Sequence, residues 1–212
     1  MASVEVVEVA EQRPSLPVAD PAPLGLAGFA LTTFLLSGHN ATFIPDLIWV
    51  GPALFYGGLA QLLAGMQEYR NRNVFGATAF STYGAFWLSL GITIVLLTAD
   101  KGFAAGFTGA DVSNALAWFI FAFLMFNTYM LIGSTRISGI VFLVFLALEV
   151  TEILLVVGNF MEAHGHANSG WIHWGGWVGI ITAALAWIAS AAGVINGHAG
   201  RQVVPTGKPM WN

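Results

Sequence analysis

Long apolar runs alternate with short polar interruptions along this chain, and within each run the apolar residues fall on every helical face rather than on one stripe. A helix that is apolar all round belongs in a core or in lipid. About 20 such residues cross the hydrocarbon of a bilayer. Six runs reach or approach that length, at 22–36, 48–67, 74–98, 115–133, 137–160 and 171–195. The first is the shortest. Pro21 and Pro23 suit its first turn, where an amide hydrogen would lack a helical partner, and Asp20 stands where an N-cap belongs. The pattern predicts an all-α integral membrane protein of six transmembrane helices, with a transporter-like domain over 20–197.

The flanks differ. Residues 1–19 carry Glu5, Glu8, Glu11, Arg13, Pro14 and Pro17. They lack the basic start and apolar centre of a signal peptide and read as a disordered tail. Residues 198–212, polar and containing Pro205 and Pro209, read as a second tail.

Composition sharpens the picture. Of 212 residues, 57% are hydrophobic and 8% charged, against about 25% charged in ordinary soluble domains. So few charges cannot coat a soluble globule, and seven Lys and Arg leave no basic face for a nucleic acid. With no Cys there are no disulfides, thiolate nucleophiles or Cys-ligated metals. The charges also orient the chain. With the N-terminus inside, Arg13, Arg70, Arg72, Arg136, Arg201 and Lys208 fall on the cytoplasmic side, and Lys101 alone falls outside. That bias predicts both tails in the cytoplasm, which requires an even number of crossings. Trp49, Trp118, Trp171, Trp174 and Trp177 then sit near the outer ends of spans, as an aromatic belt would.

Small residues recur at helical spacing: Gly51, Gly58 and Gly65; Ala77, Gly84 and Gly91; and Gly176, Gly179, Ala183, Ala186, Ser190, Gly193 and Gly197. Such stripes let helices pack closely in lipid. A small residue can also border a pore, and Ala186 is the candidate for that role.

No Lys or Arg lies mid-span, so a tightly clamped di- or tricarboxylate is disfavoured. Small solutes, neutral or singly charged and weakly held, fit better, because a permeant must also leave. Glu149 and Glu152 are the costly exceptions. They share a face at i,i+3, and a charged carboxylate at mid-bilayer costs about 3 kcal/mol. They read either as a proton relay or gate, or as a polar latch onto Asn127, Thr128, Thr93 or Gln61. His164, His166 and His173, with Glu162 nearby, do not have zinc spacing and read as a solvated loop. No hydrolase elbow or phosphate loop occurs, so neither an enzyme nor a cofactor is expected.

The stretch Asp20-Pro21-Ala22-Pro23-Leu24-Gly25-Leu26 resembles the Asn-Pro-Ala-Pro-Leu-Gly-Leu signature of the acetate uptake transporter family, the acetate–succinate permeases. The likeness continues through His39-Asn40, Phe55-Tyr56-Gly57-Gly58, Gln61, Glu68-Tyr69, Tyr83-Gly84, Gly158-Asn159 and Gly176-Trp177. It implies a plasma-membrane permease or channel for acetate and small monocarboxylates, with succinate a further candidate. It also implies a hexamer of six-helix protomers, each with its own pore. The family's constriction falls on Phe29, Tyr83 and Leu148, and its size-selecting small residue on Ala186. Asp20, Pro21, Pro23, Leu24, Gly25 and Asn40 are the signature and entrance positions. Two departures stand out: Asp20 replaces the signature Asn, and Glu149 follows the constriction leucine where an uncharged residue is expected. The rival readings are a pore for neutral solutes such as ammonia or urea, and a membrane sensor that transports nothing.

Overall fold

The computed structural model describes residues 18–166 and 170–211, so the tail expected at the N-terminus lies outside the described residues except for its last two positions. The described chain is helical, with no strand among those residues. Helix α1 spans Ala22–Asn40. Helix α2 (Val50–Leu54) runs through a π-helical segment, Phe55–Ala60, into α3 (Gln61–Arg70). Then come α4 (Val74–Ala99), the short α5 (Lys101–Ala104), α6 (Gly109–Ser134), α7 (Gly139–Ala163) and α8 (Trp171–Ala199).

Five of these, α1, α4, α6, α7 and α8, are long and apolar enough to cross a membrane. The chain is a multi-pass membrane protein. The remaining expected span, 48–67, is the α2–π–α3 run. Its π-helical segment has a local contact: the Gly57 amide donates to Thr32 Oγ1 (3.1 Å), whose hydroxyl in turn reaches the Pro52 carbonyl (3.4 Å). A side chain from α1 thus enters the backbone ladder, which is a usual origin of a π-bulge.

Side chains at the helix ends set the boundaries. Thr108 and Asp111 form a capping box on α6, and Asn73 and Ser138 cap α4 and α7 through the amides of Gly76 and Val141. At α1 the N-cap position is Pro21 rather than Asp20, yet Asp20 Oδ1 accepts the Ala22 amide at 3.0 Å and so serves the same exposed donor. Gly170 and Gly200 bracket α8 with φ of 82° and 62°.

Packing follows the small-residue stripes. Helix α1 lies against α8, α8 against α7, α7 against α6, and α3 against α4. At Gly84 a methyl would stand 2.6 Å from the Leu62 amide, and at Gly176 one would stand 2.5 Å from the Ala41 amide. These backbones touch because no side chain intervenes. Gly51 and Gly197, by contrast, face open space.

The connections sort by charge. One end of the bundle carries Arg70, Arg72, Arg136, Arg201 and Lys208 (the basic end). The other carries Asp46, Asp100, Asp111 and Glu162, with Lys101 beside Asp100 (the acidic end). After α8 the chain folds back over the basic end. Asn196 holds Val203 and Val204, the Ile140 amide donates to the Thr206 carbonyl (2.9 Å), and the Met210 amide donates to the Thr135 carbonyl (2.8 Å).

Candidate functional site

Phe29 of α1, Tyr83 of α4, Leu148 of α7 and Ala186 of α8 meet in one buried cluster near the middle of the bundle. The Phe29 and Tyr83 rings pack edge to face, with centroids 5.6 Å apart at 61°. Phe126 of α6 meets Tyr83 from the other side at 5.4 Å. A cavity of about 410 Å³ opens from the acidic end and reaches Phe29, Tyr83 and Leu148. A smaller space of about 30 Å³, toward the basic end, is lined by the same three residues together with Gln61. The three side chains therefore stand between two spaces. Ala186 packs in their cluster, fully buried, but lines neither space.

Tyr83 is held from behind. Its hydroxyl donates to Asn127 Oδ1 at 2.9 Å. Asn127 Nδ2 donates to the Phe145 carbonyl (3.1 Å) and to Glu149 Oε2 (2.7 Å). Thr128 Oγ1 lies 2.8 Å from Glu149 Oε1. Asn127 is wholly buried, and in lipid an amide in that position must be bonded within the protein.

The two mid-span carboxylates have separate surroundings despite their i,i+3 spacing. Glu149 is tied to Asn127 and Thr128, two of the four latch partners named from sequence. Glu152 lines the large cavity beside Tyr83, is 5% exposed, and its Oε2 has no hydrogen-bond partner among the described residues. Thr93 and Gln61 take no part in the bonds of either.

The signature positions divide. Pro21 and Gly25 are buried, with Gly25 against the Phe80 ring, and the Pro23 carbonyl accepts Ser190 Oγ at 2.7 Å. Leu24 is 46% exposed. Asn40, at the far end of α1, lines the large cavity. About 27 Å of helix separates it from the first turn, so the signature and Asn40 serve opposite ends.

Trp118, Trp171, Trp174 and Trp177 are exposed on the bundle, as a belt requires, but Trp49 is buried and lines the cavity. Its place in the belt is therefore corrected: the loop after α1 turns it inward. Thr33 and Trp87 also line the large cavity and Gln61 the small one; of these, the sequence singles out only Gln61 as a latch partner, and that residue is also a position of the resemblance. A mid-span indole N–H, which needs a partner in lipid, was the available signal at Trp87. At the acidic end His39 Nε2 lies 3.5 Å from Asp46 Oδ1. No group of three or more His, Cys, Asp or Glu suited to a metal occurs among the described residues.

A multi-spanning helical bundle with an inward cavity stopped by an aromatic and aliphatic cluster is the architecture of a membrane transporter or channel. The chain belongs to the GPR1/FUN34/yaaH family, whose model matches residues 5–209, as the motif at residues 20–26 led one to expect. It is 38% identical over 192 residues to the succinate-acetate/proton symporter SatP of Escherichia coli K12, covering 90% of this chain and 96% of that one. It is 37% identical over 207 residues to acetate permease A of Emericella nidulans, covering 92% and 67%. Ammonia transport outward protein 2 of Saccharomyces cerevisiae is 39% identical over 184 residues, covering 83% and 61%. Among solved structures, the bacterial acetate channel SatP superposes with a TM-score of 0.81 at 36% identity, over 90% of this chain and all of that chain.

Proposed function

We propose that the protein is a plasma-membrane pore for acetate and similar small monocarboxylates, with succinate a further candidate, and that passage is linked to a proton. In this reading the α2–π–α3 run is a sixth crossing, the basic end and both tails face the cytoplasm, and the protomers assemble as a hexamer with a pore in each. Phe29, Tyr83 and Leu148 are the constriction. Ala186 keeps room behind it. The observation that carries the reading is that these three residues line both the large cavity and the small space beyond.

The chemistry follows from the lining. Apolar rings strip water from the permeant, and a methyl group packs against them at little cost. Among the described residues no Lys or Arg lines the cavity to hold the headgroup, so release stays fast. Glu152 borders the cavity at the constriction and exchanges the proton, while Glu149 serves Asn127. Asp20 adds a negative charge at the cytoplasmic mouth and raises the barrier to anion exit there.

The test is acetate flux in proteoliposomes under an imposed pH gradient and, separately, an imposed voltage. Flux driven by the pH gradient supports a proton-linked carrier, and flux driven by voltage alone supports a channel for the anion. Because one relative is named for ammonia export, the same vesicles are tested with ammonia. Ammonia flux without acetate flux would replace this reading with that of a neutral-solute pore.

A further inference from the structure

The common form of acetate is an anion, yet among the described residues no Lys or Arg lines the large cavity. Its charged lining is Asp46, Glu152 and Glu162, with His39 as the basic member. A carboxylate that enters must therefore be met by neutral donors. Three are present and unused. Trp49 Nε1, Trp87 Nε1 and Thr33 Oγ1 are buried with no hydrogen-bond partner among the described residues. The three side chains are 4%, 3% and 5% exposed, and all line this cavity.

Their placement is coherent. Thr33 is four residues after Phe29 on α1, and Trp87 is four after Tyr83 on α4. Each donor thus sits on the face of a constriction residue, one turn, about 6 Å, nearer the acidic end. Trp49 belongs to the same packed cluster as Trp87, so the two indoles are held together from different elements. An indole nitrogen can only donate, and a buried donor left unbonded costs about 1–3 kcal/mol. Two such donors in one cavity wall favour a ligand that accepts from both.

Resting on the transport reading above, we propose that Trp49, Trp87 and Thr33 form a cation-free binding site for an ionised carboxylate just before the constriction. The two oxygens of the ligand take the two indole hydrogens, and the Thr33 hydroxyl adds a third bond. The three donor atoms are themselves covered, so engagement requires the side chains to turn toward the cavity. Neutral donors discriminate by geometry and acceptor strength, and they release the anion more readily than an Arg clamp would.

The experiment is a titration of the full-length protein in nanodiscs, labelled with ¹⁵N at its eight tryptophans, followed by indole N–H NMR. Sodium acetate should move two indole signals together and saturably, and acetamide at equal concentration should not. Trp49→Phe and Trp87→Phe assign the two signals. Thr33→Val, nearly isosteric, leaves both indoles in place and should raise the half-saturating acetate concentration about tenfold, the scale of one hydrogen bond to a charged group. If no indole signal responds, if acetamide acts alike, or if Thr33→Val binds as tightly as the wild type, the site is refuted. Flux is measured in parallel. Uptake without an indole response removes the site and leaves the transport reading standing. An indole response without uptake supports the site and removes the transport reading.

Discussion

The Tyr83 hydroxyl donates to Asn127 Oδ1 at 2.9 Å, so the ring that lines both internal spaces is positioned by a buried side chain of another helix. Asn127 passes the restraint to α7 through Phe145 and Glu149. Tyr83 is therefore held by a polar chain across three helices as well as by ring packing. In lipid such a chain has no competing water, so its geometry is well defined.

Tyr83→Phe keeps the ring and deletes the donor. Asn127 Oδ1 then loses its partner, and stability should fall by about 1–3 kcal/mol, while selection of acetate over propionate is retained. Tyr83→Ala, Phe29→Ala and Leu148→Ala should instead admit propionate. Ala186→Phe has no free volume to enter; overpacking of this kind costs about 1–3 kcal/mol and should close the path. Thermal unfolding and competitive flux measure the two effects. Lower melting temperature with unchanged selectivity in all three Ala variants would assign these residues to packing alone.

The two carboxylates should behave differently. Glu152→Gln removes a titrating group from the cavity wall and should flatten the pH dependence of acetate flux. Glu149→Gln can still accept one of its two bonds from Asn127 and Thr128, so it should lose some stability and keep the wild-type profile. Flux measured from acid to neutral pH in each variant and in the double mutant decides. An unchanged profile in all three ends the proton-exchange role.

Close backbone contact makes two glycines intolerant. Gly176→Leu would drive α8 from α1 at the Ala41 amide, and Gly84→Leu would drive α4 from α3 at Leu62. Both should reduce the yield of monodisperse protein in size-exclusion chromatography. Gly197→Ala, facing open space, should assemble normally.

With five basic residues at one end of the described bundle, impermeant labelling of intact cells should leave tags on either tail unmodified. Labelling of one tail alone would mean an odd number of crossings and would remove the α2–π–α3 run as a membrane span.

Much of the architecture was legible because lipid imposes simple rules. Apolar length marked the long helices, and the start of α4 at Val74 and of α8 at Trp171 fell on the expected residues. Small-residue spacing marked the faces where α1 meets α8 and α3 meets α4. Boundaries drifted where polar residues continue a helix: α1 runs on to Asn40 through Ser37 and His39, and α6 begins at Gly109 because Thr108 and Asp111 cap it. The π-helical segment could not be read from Phe55–Ala60 itself, since its Gly57 amide bonds to Thr32 from another helix.

The sequence by itself determined that this is a helical membrane protein, that small residues at helical spacing would let its helices pack closely, and that its mid-span acids needed partners. Those are one-dimensional properties, set by run length and by period. Tertiary structure decided which acid was latched and which was left at the cavity. Glu149 and Glu152 differ by one turn, and only the position of α6 gives Asn127 and Thr128 to the first. It also turned Trp49 inward and set Trp87 beside it. A side chain's partner comes from the packing of distant helices, and helical period carries no information about which neighbour stands across the gap.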